Sequence, residues 1–132
     1  MTWYNDSIAT SPTRTIAGLR SFDLKIIIIA GGYDKHIPYE PLAPEILAHV
    51  KVLVLMGATG PVIEKAVREC PGFAESGLVI LHADDMNQAV ELARGAAVPG
   101  DIVSLSPASA SFDRYANFEE RGREFKEIVN SL

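Results

Sequence analysis

The run Ile26-Ile27-Ile28-Ile29-Ala30 is apolar at every position. A strand with one wet face alternates polar and apolar residues, so an unbroken aliphatic run predicts a strand covered on both sides. The run is far too short to cross a bilayer. With Lys25 in front it gives a strand over Lys25–Ala30, and Val50–Met56, Leu78–Leu81 and Asp101–Leu105 read the same way. Strands buried on both faces belong to parallel sheets, and parallel strands need helical crossovers between them.

The crossovers are visible. Ser11-Pro12 is an N-cap followed by proline in the first turn, leading into Ile16 and Leu19. Leu42, Ile46 and Leu47 predict a short helix, and Gly60-Pro61 opens another with Val62, Ile63, Ala66 and Val67 inward, stopped by Pro71-Gly72. Met86, Ala89, Val90 and Ala93 line a third, ending near Val98-Pro99-Gly100. Asn117 with Glu120 three residues on predicts a capping box. Beyond it Phe118, Arg121, Phe125, Ile128, Val129 and Leu132 share one face, with Arg121 expected to pack by its stem. The fold class is therefore α/β: a Rossmann-like three-layer αβα arrangement, with a mostly parallel sheet of about five to six strands and helices on both faces.

At 132 residues the chain is expected to form a single domain, 1–132. Its net charge of -5 and scattered basic residues argue against nucleic acid and against an anionic membrane surface as partners. Cys70 is the single cysteine, so no internal disulfide forms and a cytoplasmic location is expected. The opening Met1-Thr2-Trp3-Tyr4-Asn5-Asp6 is too polar for a signal peptide. Cys70 and the three histidines are spread singly, so no metal site is expected, and no G-x-x-x-x-G-K-[ST] phosphate loop occurs.

Ligands of open parallel sheets sit beyond the carboxyl ends of the strands, which selects three loops, after Tyr4, after Ala30 and after Leu105. Asn5-Asp6-Ser7-Ile8-Ala9-Thr10 offers donors and acceptors ahead of a helix, though these residue types also make ordinary capped turns. Gly31-Gly32 lets the backbone turn sharply and come close to a ligand, with Lys35 placed for a carboxylate or phosphate; a glycine turn with a solvated Asp34/Lys35 pair is the plainer account. His36 and His49 read as surface or helix-end residues, and Glu64 and Glu69 as solvated charges. In the third loop Ser109 and Ser111 can donate to a carboxylate that Phe112 and Phe118 shield from water, or the serines form turns and the rings anchor the core. Met56-Gly57-Ala58-Thr59-Gly60 also follows a strand but lacks the G-x-G-x-x-G spacing.

The blocks NDSIATSPTRTIAGLRSF, IIIIAGGYDKHIPYEPLA and GDIVSLSPASASFDRYANFEERGREFKEIV, in this order and spacing, resemble the C-terminal domain of the Mur ligases, in their D-glutamate-adding branch. The likeness covers essentially the whole chain. It implies an ATP-dependent ligase of peptidoglycan biosynthesis, with D-glutamate, UDP-N-acetylmuramoyl-L-alanine and ATP as substrates and Mg as cofactor. By position it places Thr10 and Lys35 on the D-glutamate carboxylates and completes that pocket with Ser111, Phe112 and Phe118; Asp6 would face the nucleotide. Ile8 stands where many relatives carry lysine, so no cationic contact is expected there. The resemblance also implies that the UDP-binding and ATPase domains, with phosphate loop and metal ligands, lie outside these residues. No catalytic residue is then expected in this domain, which should be inactive alone. Two alternatives share the architecture: the equivalent domain of a folylpolyglutamate synthetase-like ligase, and a free-standing binding module for an acidic amino acid.

Overall fold

The structure is a computed structural model that describes residues 2–7, 9–33, 36, 38–109, 115 and 117–132. Among these, five strands run parallel in one sheet: β1 (Thr2–Asn5), β2 (Ile26–Ala30), β3 (Val50–Leu55), β4 (Val79–His82) and β5 (Ile102–Leu105). Their spatial order is β1-β5-β2-β3-β4. The described helices are α1 (Pro12–Leu19), α2 (Ala43–His49), α3 (Gly60–Arg68), α4 (Phe73–Ser76), α5 (Met86–Ala96) and α6 (Phe118–Asn130), with a 3-10 turn over Glu40–Leu42 ahead of α2.

Every residue of β2 is buried, as the aliphatic run predicts. Its side chains alternate between two cores. Ile26, Ile28 and Ala30 join Leu19, Ile46, Leu53 and Ile63 under α1, α2 and α3. Ile27 and Ile29 join Val54, Met86, Val90 and Phe125 under α5 and α6. Helices on both faces of a parallel sheet are the three-layer arrangement predicted above. Each fully buried Ile contributes about 1.5–3 kcal/mol relative to exposure, so five consecutive core positions make β2 the main determinant of the sheet.

β3 keeps the same alternation only because of an irregularity in register. Ile26 pairs with Val50 and Ile27 with Val52, which leaves Lys51 without an opposite residue. The extra residue returns Val50 and Val52 to opposite cores. The Lys51 ammonium donates to Asp101, which also accepts from the Val98 N–H at 2.8 Å, so the loop before β5 is fastened to β3.

Two expectations shift. β4 is an edge strand with Val79 48% exposed, not a strand covered on both faces. The helix after Gly60 ends at Arg68, and Phe73–Ser76 forms a separate turn bounded by Gly72 and Gly77, both at positive φ. The other edge, β1, is held from both sides by rings: Trp3 lies 6.0 Å from Phe125 on α6, and Tyr4 meets Phe22 edge-on at 5.3 Å beyond α1.

Candidate functional site

The strand order puts β1, β5 and β2 side by side, so the loops after Asn5, Leu105 and Ala30 emerge together at the carboxyl end of the sheet. Backbone bonds join their roots. The Asp6 N–H donates to the Leu105 carbonyl, Ser106 N–H to Ile29, and Gly31 N–H to Pro107, each at 2.9–3.0 Å. Ala108 N–H reaches the Ala9 carbonyl at 2.9 Å. Two non-glycine residues among those described have positive φ, His36 at 59° and Ala108 at 56°, and both lie in these loops. Such a backbone costs a residue with a Cβ about 1–2 kcal/mol, so tertiary contacts hold it.

Arg121 supplies one set of contacts. It stands on the inward face of α6 but does not pack merely by its stem: the whole side chain is 1% exposed. Its Nε donates to Ser7 Oγ at 3.0 Å, Nη2 to the Ser7 carbonyl at 2.8 Å, and Nη1 to the Ser109 carbonyl at 2.9 Å. Ser7 Oγ donates onward to the Phe118 carbonyl at 2.6 Å, and Asn5 Nδ2 donates to the Gly122 carbonyl at 3.0 Å. A Cβ on Gly122 would stand 2.9 Å from the Asn5 amide, so glycine there lets α6 close onto the β1 loop. One guanidinium thereby ties the loop after β1, the loop after β5 and the first turns of α6. The signal in the sequence was a permanent cation at a core position of an amphipathic helix, beside a glycine.

A chain of hydroxyls supplies the second set. Tyr39 Oη lies 2.8 Å from Ser109 Oγ, which lies 2.8 Å from Thr59 Oγ1, and Thr59 Oγ1 accepts the Gly32 N–H at 2.9 Å. All three side chains belong to buried residues. Ser109, read either as a donor to a ligand or as a turn former, commits its hydroxyl to this interior chain, and its carbonyl is taken by Arg121. Gly31 does bring the backbone close to something, but to the protein itself: at φ +112° its missing Cβ would lie 1.8 Å from the Met56 carbonyl oxygen.

Of the residues predicted to bind, Lys35, Ser111 and Phe112 lie outside the described residues. Thr10 is half-buried between Ala9, bonded to Ala108, and Ser11, whose Oγ caps α1. Phe118 opens α6 and lines a groove with Asn5, Ser7, Gly122, Arg123 and Lys126. Asp6 lies on the other side of β1, in a depression with Tyr4, Gly18, Ser104 and Ser106. The structure thus separates Asp6 from Phe118 across the loop they share contacts with. Burial pushes the Asp6 carboxyl above its ordinary range, partly countered by the Arg14 guanidinium. Asn117 caps α6 by accepting from Glu120 N–H at 2.9 Å; the Glu120 carboxylate pairs with Arg123 instead of closing the predicted box.

Away from these loops Glu64 is a surface charge, as read, and it is paired there. It accepts from Arg68 Nε and meets His82 Nε2, both at 2.7 Å, and these bonds hold its carboxyl below the usual range. His49 ends α2, as expected. Among the described residues no group of three His, Cys, Asp or Glu side chains is arranged to hold a metal ion, and no helix is long and apolar enough to cross a membrane.

Three relatives are named UDP-N-acetylmuramoylalanine--D-glutamate ligase. That of Acetivibrio thermocellus is 57% identical over 132 residues, that of Symbiobacterium thermophilum 56% over 130, and that of Clostridium novyi 54% over 130. Each alignment covers 98% of this chain, which spans only 28% of the relative's length. Residues 1–109 match the family model described as "Mur ligase, glutamate ligase domain". With most of its length inside that match, and with the predicted parallel α/β sheet in place, the chain belongs to the Mur ligase family, as its glutamate ligase domain.

Proposed function

We propose that this chain is the glutamate-binding domain of a cytoplasmic, ATP-dependent ligase that adds D-glutamate to UDP-N-acetylmuramoyl-L-alanine in peptidoglycan biosynthesis. The observation that supports the proposal is the adjacency of β1, β5 and β2, which brings the roots of the loops after Asn5, Leu105 and Ala30 to one end of the sheet; in the sequence Thr10, Lys35 and Ser111 follow these roots. The D-glutamate branch is favoured because Ser111, Phe112 and Phe118 fall beyond the family match at residue 109, in a segment that relatives named for D-glutamate align with.

In the full-length enzyme ATP phosphorylates the alanine carboxylate, releasing ADP. The D-glutamate amine then attacks the acyl phosphate, forming the amide and expelling phosphate. The role of this domain is to hold the attacking molecule. A dicarboxylate needs a cation and neutral donors, which Lys35, Thr10 and Ser111 supply, while Phe112 and Phe118 limit competition from water. Asp6 faces the nucleotide side. The described residues do not fit a magnesium site, and the sequence holds no phosphate loop. The proposal therefore assigns magnesium and the ATP phosphates to other domains of the longer protein, and no step here runs through the metal.

Incubation of the full-length protein with ATP, magnesium, UDP-N-acetylmuramoyl-L-alanine and labelled D- or L-glutamate tests this. The expected result is incorporation of the D isomer only. Lys35→Ala should raise KM for D-glutamate far more than KM for ATP, by a loss of about 2–5 kcal/mol. Incorporation of L-glutamate, no incorporation of D-glutamate, or equal effects of Lys35→Ala on both KM values would refute it.

A further inference from the structure

Thr59 occupies an N-cap position and does not cap. A threonine there ordinarily turns its hydroxyl back to accept an N–H of the first helical turn. Thr59 makes no such bond to α3. Its hydroxyl, in a side chain fully removed from solvent, accepts the Gly32 N–H at 2.9 Å and meets Ser109 Oγ at 2.8 Å. Its own N–H donates to the Gly32 carbonyl at 3.1 Å, so Thr59 and Gly32 are bound in both directions.

The bonds lead to the loops already singled out. Gly32 lies three residues before Lys35, and Ser109 two residues before Ser111. Ser109 is also the point where the Arg121 clamp arrives, and its neighbour Ala108 holds Ala9, next to Thr10. With the Thr59 oxygen accepting from Gly32, its single proton is free to go to Ser109 Oγ, and Ser109 and Tyr39 Oη share the remaining bond. Every member of the row is then satisfied. Had packing alone been required at this site, valine would fill the same space.

We propose that Thr59 is a positioning residue for the amino-acid substrate: its hydroxyl sets the spacing between Gly32 and Ser109, at the roots of the loops after β2 and β5. The proposal rests on the D-glutamate reading above. Thr59 touches no substrate; it acts through Gly32 and Ser109. The loop from Met56 to Gly60, which carries no phosphate-binding pattern, thereby acquires a role.

The test uses the full-length ligase with Thr59→Val and Thr59→Ser. Thr59→Val should raise KM for D-glutamate about five- to tenfold, the size of one lost hydrogen bond, and leave KM for ATP within about twofold. Thr59→Ser, which keeps the oxygen, should restore the D-glutamate value. Amide exchange at Gly32 in the ligand-free protein should quicken in Thr59→Val and not in Thr59→Ser. Should Thr59→Val fail to fold, Tyr39→Phe removes the far end of the same row and should move KM for D-glutamate in the same direction. An unchanged KM for D-glutamate, parallel changes for all substrates, or no rescue by serine overturns the proposal. A wild-type protein that takes no D-glutamate overturns the underlying function, and this proposal with it.

Discussion

Replacing Arg121 with methionine keeps the stem and removes the guanidinium. Three hydrogen bonds of 2.8–3.0 Å disappear, and two carbonyls, of Ser7 and Ser109, lose a donor in a region closed to water. Each unsatisfied buried acceptor costs about 1–3 kcal/mol. Removing the cation also removes its own desolvation penalty, which offsets part of the loss. The balance is a destabilisation of about 3–5 kcal/mol, a large share of the roughly 5–15 kcal/mol available to a domain of this kind. Urea unfolding of the 132-residue chain, followed by far-UV circular dichroism, measures it. Arg123→Met is the control: two residues along the same helix, Arg123 is 61% exposed and pairs with the exposed Glu120, so its loss should stay within about 0.5 kcal/mol. If Arg121→Met and Arg123→Met unfold at the same urea concentration, the buried guanidinium does not hold the loops together. If Arg121→Lys matches wild type, charge alone suffices and the forked geometry is irrelevant.

Other perturbations separate backbone from charge. Gly31→Ala should abolish soluble folded protein, since its Cβ would overlap the Met56 carbonyl, whereas Gly95→Ala, in α5 with nothing near its Cβ, should stabilise by about 0.5–1 kcal/mol; expression yield and thermal melts distinguish them. The Asp101 carboxyl is held below its ordinary 3.8 by the Lys51 ammonium and the Val98 N–H. It therefore contributes stability above that value and loses it as pH falls through the folded one, so the gap in urea midpoint between wild type and Asp101→Asn should be largest near neutrality and close in acid. Asp6 has the opposite sign: its pKa is raised by burial, so its ionisation weakens the fold as pH rises past 3.8, and Asp6→Asn should melt higher than wild type at pH 7. A lower melting temperature for Asp6→Asn would show that Arg14 outweighs burial.

Much of the architecture could be read from residue type and spacing because those signals are local. Ile26–Ala30 has no polar position to expose, so it can only be an inner strand. Ser11-Pro12 and Asn117 mark helix starts because a capping oxygen acts within three residues of itself, at 3.5 Å to Arg14 N–H and 2.9 Å to Glu120 N–H. The edge position of β4 was not legible in the same way. Leu78–Leu81 is as aliphatic as an inner strand, and only the count of strands beyond it decides that Val79 meets water. The Lys51 irregularity was hidden for a related reason: which core Val50 and Val52 enter depends on the partner strand, not on β3 itself.

The site divides along the same line. That three loops gather at one end follows from parallel strands, and the rule needed no coordinates. What fixes those loops did not follow, because each fixing bond joins residues far apart in sequence. Arg121 reaches Ser7 across 114 positions and Thr59 reaches Ser109 across 50. In the linear sequence Thr59 is one residue of a short loop between a strand and a helix, Arg121 an amphipathic-face residue and Ser109 one of several loop serines. Each had an adequate local explanation, and in each case a tertiary partner displaced it. The residues whose local role is vacant in the fold, Thr59 with no cap bond and Arg121 with no exposed charge, are those that connect one loop to another. A loop is free to carry polar groups for a ligand, the role proposed for Thr10, only if its own backbone is satisfied from behind, and here that support comes from the interior of the domain.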